Sequence, residues 1–337
     1  MTSLRLPRLN RILAPLSVAA AMLAAAPAIA QQKLQIAGNF AGEHPSSVAV
    51  EQVFKKEVAR LTNNQLQVDV FPAMQLGGAK ENVDAVRSGT LALTWVGAAY
   101  LSRIVPELEA VALPFVFPNR EVALRVIDGP VGDAIEAKLQ DKGFTSLGWM
   151  ELGMRHLTNS RGPIKSVDDL KGLKLRLQPS ETHLASFRAL GANPISMDVK
   201  ELYSALEQKV VDAQENPYTV ISASRYGEVQ KHLSNSGHFF DFIAVIGSKR
   251  ALEQLKPEHQ KAVREAMAAT VAFQRKLAIE SEAKALADLK TKMTYTEIPP
   301  AVREEMRKLS APVINDVVKK RAGAALVDQV LADVAKP

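Results

Sequence analysis

Two arginines, a polar turn and one strand end carry most of the chemistry this sequence could perform. In Lys171-Gly-Leu-Lys-Leu-Arg-Leu-Gln178, Leu173, Leu175 and Leu177 alternate with Lys174 and Arg176. That is the period of a strand with its cations on one face. A guanidinium held on a strand is a permanently charged, planar fork that matches a carboxylate with two parallel bonds, which an ammonium cannot do as well. Gly153-Met-Arg-His-Leu-Thr-Asn159 supplies a second arginine, Arg155, and Asp212-Ala-Gln-Glu-Asn-Pro-Tyr218 is a polar turn carrying Asn216. Asn39 could hydrogen-bond a ligand, although its position alone reads as a turn. From the isolated strand, Arg176 reads first as a solvated cation.

An enzyme has little to work with. There is no G-x-S-x-G, no H-E-x-x-H and no phosphate loop. His44, His156, His183, His232, His238 and His259 are dispersed, so no metal or other cofactor is expected. Asp168-Asp169 reads as a helix start before it reads as an acid pair. Cysteine is absent, which removes disulfides, zinc-thiolate sites and cysteine catalysis together.

The elements that must position these side chains follow a strand–helix rhythm. Residues 34–38 read as a first strand ending at Asn39. Ser46 is the expected cap of a helix to about residue 62, with Val50, Phe54 and Val58 on one face. Residues 66–71 alternate as a second strand, a helix follows to about 88, and 91–96 form a third strand. That order implies a parallel α/β sheet, whose ligands sit beyond the carboxyl ends of the strands. Asn39 and Gly97 lie at such ends. Leu113-Pro-Phe-Val-Phe-Pro118 reads as a packing turn, and Trp149, near a crossover, suits either a cleft or a core.

The middle of the chain repeats the rhythm. It runs through an alternating strand over 154–159, a capping box at Ser166-Val-Asp-Asp169, the Arg176 strand, and a strand over 193–196. Asp198 then caps a helix, and 210–214 deliver Glu215 and Asn216. Residues 237–248 form a long extended run. Pro257 opens a helix without a breaker until about 290. At 1.5 Å per residue it spans about 50 Å, more than one small unit, so it should lie across two.

The net charge is +6, and Arg5, Arg8 and Arg11 account for three of those positives, leaving +3 for the rest. That bias is too weak to suggest nucleic acid. The same arginines precede an apolar run over 12–25 and a small-x-small site at Ala28-Ile-Ala30, which together read as a secretory signal peptide over residues 1–30. The expected mature protein starts near Gln31 and is soluble in a periplasm.

Taken together, the arginine stretches and the polar turn resemble the solute receptors of tripartite ATP-independent periplasmic (TRAP) transporters, of the DctP type. Their G-x-R, G-x-K-x-R and D-x-Q-E-N-P segments stand in this order, and Gln75-Leu-Gly77 and Glu201-Leu-Tyr-Ser-Ala-Leu206 fit the same pattern. The similarity runs from about Leu34 to about Lys320. It implies an α/β, two-lobe periplasmic binding protein fold, type II-like, with one long helix bracing both lobes. Lobe I would cover 31–153 with a return over about 242–280. Lobe II would cover 154–241 with about 281–310, and 311–337 would be C-terminal helices.

The resemblance further implies that Arg176 clamps a ligand carboxylate, that Arg155 sits beside it, that Asn216 completes the grip and that Asn39 touches the ligand. Gly97 stands where sialic-acid receptors of the family carry a glutamate, which implies a neutral, roomy corner. Gln178-Pro179 and Val199 also depart from the family pattern and leave the rest of the ligand open. The implied partners are a small organic acid and the small and large membrane permease subunits, with the receptor acting as a monomer. A receptor for an ATP-driven importer or a sensor kinase, or a periplasmic enzyme on the same fold, are the alternatives.

Overall fold

The computed structural model describes Thr2 and residues 32–337; the rest of the expected signal segment lies outside the described residues. Two sheets organise the chain. The first has the order β2-β1-β3-β10-β4, built from β1 (Gln32–Gly38), β2 (Leu66–Phe71), β3 (Leu93–Gly97), β4 (Phe144–Met154) and β10 (Phe240–Ser248). The second has the order β11-β9-β5-β8-β6-β7, built from β5 (His156–Asn159), β6 (Lys174–Leu177), β7 (Asn193–Ser196), β8 (Ala213–Asn216), β9 (His232–Asn235) and β11 (Thr294–Glu297).

The first three strands are parallel, as the strand–helix order requires. Each whole sheet is nonetheless mixed. β10 runs antiparallel to β3 and β4, and β5 runs antiparallel to β8 and β9. The chain passes between sheets at Arg155, where β4 ends and β5 begins, and again between β9 and β10. Arg155 therefore sits at a crossover rather than inside a strand.

The long helix, Pro257–Lys292, has 36 residues, about 54 Å at 1.5 Å each. Val263 and Met267 near its start and Leu289 near its end join one core that also holds Ile36, Phe54, Tyr218 and Leu233. Midway, Gln274 accepts from the Glu151 amide at 3.0 Å and donates to its carbonyl at 2.8 Å, tying the helix to β4. It braces both lobes through these contacts. The C-terminal residues Val313, Val318, Val327 and Val330 join the core on the outer face of the first sheet.

Local chemistry explains several details. The first helix starts at Pro45, whose missing N–H costs nothing in the first turn. Its cap is His44, whose Nδ1 accepts from the Ser46 amide at 3.3 Å, and not Ser46 as expected. Gly38 is required because a Cβ there would stand 2.2 Å from the buried indole of Trp95. Trp149 belongs to the core, its Nε1 donating to Glu136 at 3.0 Å. Phe117 packs edge-on against Phe240 and Phe242, so that turn is packing.

Candidate ligand-binding site

Four strand ends converge between the lobes. Asn39 follows β1 and Gly97 ends β3; Gln178 follows β6 and Asn216 ends β8. These residues line one small cavity with Tyr100, Arg176, Val199 and the apolar side chains of Phe40, Leu152 and Val220. Its volume is about 20 Å³, room for about one water molecule. The roominess expected at Gly97 is absent, because Gln178 Oε1 lies 3.5 Å from where a Cβ on Gly97 would stand. Among the described residues no acidic side chain lines the cavity, and Arg176 is its one charged group. Wider hollows, such as one of about 370 Å³ beside Phe115, Met154 and Arg303, are open grooves on other faces.

Arg176 is 1% exposed. Its Nε and Nη2 donate to the Met197 carbonyl at 3.0 and 2.7 Å, and Nη2 also donates to Tyr100 Oη at 2.9 Å. Among the described residues it forms no ion pair, and its Nη1 makes no hydrogen bond. Tyr100 Oη accepts a second bond, from the Val199 amide at 3.0 Å, so its own proton is free to donate. Burial pushes this phenol above its ordinary range. Asn39 is also buried, and its Oδ1 has no hydrogen-bond partner among the described residues.

Arg155 does not line the cavity. It is fully buried, and its Nε and Nη2 grip both carboxylate oxygens of Glu215, the second at 2.8 Å. Its Nη1 donates to Asp241 at 3.0 Å, and its Nη2 reaches Asn216 Oδ1 at 3.0 Å. His238 Nε2 lies 3.0 Å from Glu215. Burial alone would raise the Glu215 carboxyl, but the Arg155 charge and the bonds from His238 and Arg155 hold it well below its ordinary range. Burial pushes His238 down and Asp241 up. Asn216 is fixed from its other end, its Nδ2 donating to Gln214 at 2.6 Å. The structure thus brings Arg176, Asn216 and Asn39 to one cavity and sets Arg155 behind Asn216 as its support.

Across the cleft, two carboxylates cap helices of the opposite lobe. Glu109, in the first lobe, accepts from Ser180 Oγ at 2.8 Å and from the Glu181 and Thr182 amides at 3.1 and 3.0 Å, at the start of the helix Glu181–Ala189. Asp198, in the second, caps its own helix through Lys200 N at 3.0 Å and accepts from Lys80 N of the first lobe at 3.1 Å. Sequence reasoning gave Asp198 only its local role and passed over Glu109 and Tyr100. The signal for Tyr100 was its place just after a parallel strand's carboxyl end.

The family model for bacterial extracellular solute-binding proteins, family 7 (DctP), matches residues 36–321. This chain belongs to the DctP family. Its members are the solute receptors of TRAP transporters, not enzymes. The chain is 34% identical over 269 residues to the 2,3-diketo-L-gulonate-binding periplasmic protein YiaO of Escherichia coli, covering 80% of this chain and 77% of that one. It is 31% identical to the C4-dicarboxylate-binding periplasmic protein DctP of Rhodobacter capsulatus, over 84% of this chain and 85% of the other. Among solved structures, the sugar acid binding protein DctPAm of Advenella mimigardefordensis, in complex with galactonate, superposes with a TM-score of 0.88 at 34% identity, covering 90% and 97% of the two chains. DctP-family relatives therefore bind small organic acids on this fold.

Proposed function

We propose that this protein is a periplasmic receptor that captures a small organic acid with Arg176, closes its lobes over it and delivers it to the two membrane subunits of a TRAP permease. The observation that carries this reading is a buried guanidinium that forms no ion pair with a carboxylate among the described residues. Arginine cannot relieve burial by losing its proton. A charge so placed is costly unless an anion meets it, and inside a low-dielectric cleft that anion is held by strong, charge-assisted bonds. Asn39 and Asn216, on opposite lobes, would hold the ligand's polar atoms, and Arg155 would keep Asn216 in place. The cavity is nearly closed, so entry requires the lobes to part about the crossovers at Arg155 and between β9 and β10.

Titration calorimetry of the mature protein with its acid tests this. Arg176→Ala should weaken binding by roughly 2–5 kcal/mol, the penalty for leaving one partner of a buried ionic contact alone. Affinity within a few-fold of wild type would remove Arg176 from the role.

A further inference from the structure

Resting on that reading, we infer that the site takes a polyhydroxylated monocarboxylate, such as an aldonate, in preference to a dicarboxylate. Charge separates the two classes. Arg176 can meet one carboxylate. The other buried cation, Arg155, is engaged by Glu215 and Asp241. Two cations and two carboxylates leave this buried set neutral, and Glu109 adds a further acid nearby, at the Ser180 end of the strand that carries Arg176. The buried rings of His44 and His183 supply no positive charge, since burial holds both near a pKa of about 3. Lys200 is exposed and paired with Glu81 at 2.9 Å. A second ligand carboxylate would enter the cleft with no cation to meet it, and an unpaired charge in such a place is strongly disfavoured.

The neutral groups point the same way. Asn39 presents a buried acceptor without a partner, and Gln178 turns its Oε1 toward Gly97 while its Nε2 is held by Asp241 at 2.6 Å. Carboxylate oxygens repel such acceptors, having no proton to offer. A hydroxyl donates to them and can accept from the free Tyr100 proton in the same geometry. The cavity therefore carries one anion anchor and a set of mixed neutral partners, the complement of a carboxylate followed by hydroxyls.

The test is calorimetry of the mature protein against a series of aldonates, each beside its own aldarate, which adds one carboxylate to the same carbon chain, and against succinate and butyrate. At least one aldonate should bind at least about a hundredfold tighter than its aldarate and than succinate. Asn39→Ala should weaken that aldonate about tenfold, and an affinity equal to wild type would remove the hydroxyl contact assigned to Asn39. An aldarate or succinate binding as tightly as every aldonate, with affinity lost in Arg176→Ala, would overturn this inference and leave the acid receptor standing. Binding of no carboxylate in the series would overturn the receptor reading and this inference together.

Discussion

Arg155 and Arg176 are the same residue type, each at most 1% exposed, yet they face opposite circumstances. Arg155 is gripped by the full edge of Glu215 and by Asp241, and supports Asn216. Among the described residues Arg176 bonds a carbonyl and a phenol and no carboxylate. Burial by itself therefore does not distinguish a structural arginine from a ligand-binding one; the pairing does. A paired buried cation belongs to the fold, because removing it strands its partners. An unpaired one is a standing cost that the fold tolerates for another purpose.

The sharpest way to break this comparison is to truncate both. Arg155→Ala leaves Glu215 and Asp241 buried without their cation and should destabilise the protein by about 3–5 kcal/mol. Arg176→Ala strands no carboxylate and should unfold at or above the wild-type denaturant midpoint. Equal losses of stability in urea titrations of the two variants would show that pairing is not what separates them.

Glu151 extends the contrast to an acid. It is 3% exposed, has one unpartnered oxygen, and shares Arg120 with Glu282. Burial raises its pKa to about 7, with Arg120 opposing and Glu282 adding to the rise. Unlike Arg176, this group can take refuge in its neutral form. A folded-state pKa above the ordinary 4.5 means stability that is fully present below pH 4.5 and is lost as pH rises through about 7. Over that window the loss should approach about 3 kcal/mol. Glu151→Gln should flatten it and raise stability at pH 8; an unchanged slope in denaturation midpoints across pH 5–8 would rule Glu151 out as its source.

Much of this arrangement was legible in the sequence, for identifiable reasons. Alternation marked β2 at its observed bounds, because one face of that strand is more buried than the other. The lack of breakers after Pro257 gave the long helix. The strand readings put Asn39 and Asn216 at strand ends and Arg176 on a short strand, and strand ends of α/β sheets converge. Other features depend on partners remote in the chain. β10 is buried at every position, so nothing in its pattern says that it returns antiparallel between β3 and β4. Arg155 and Arg176 look alike in sequence because the carboxylates that separate them, Glu215 and Asp241, are 60 and 86 residues away from Arg155. Glu109 was invisible as a cap because it bonds backbone amides more than seventy residues downstream.

The cross-cleft contacts offer the gentler tests, since they ask whether pairing between lobes is worth as much as pairing within one. Glu109 is a buried carboxylate at a helix N-terminus, an arrangement that contributes about 1 kcal/mol. Glu109→Gln keeps the shape and weakens the cap. It should speed ligand release in stopped-flow traces by about fivefold while leaving the Arg176 contact intact. A release rate equal to wild type would mean that this cap does not help hold the lobes shut. Lys200 and Glu81 also join the lobes, at 2.9 Å, but both side chains are about half exposed. Water and salt screen such a pair, and ordering two long side chains offsets much of what remains. Lys200→Ala should therefore change the release rate by less than about twofold, and that small difference should vanish at high salt. A change as large as that of Glu109→Gln would mean that exposed pairing closes this cleft as effectively as buried pairing, contrary to what the two arginines teach.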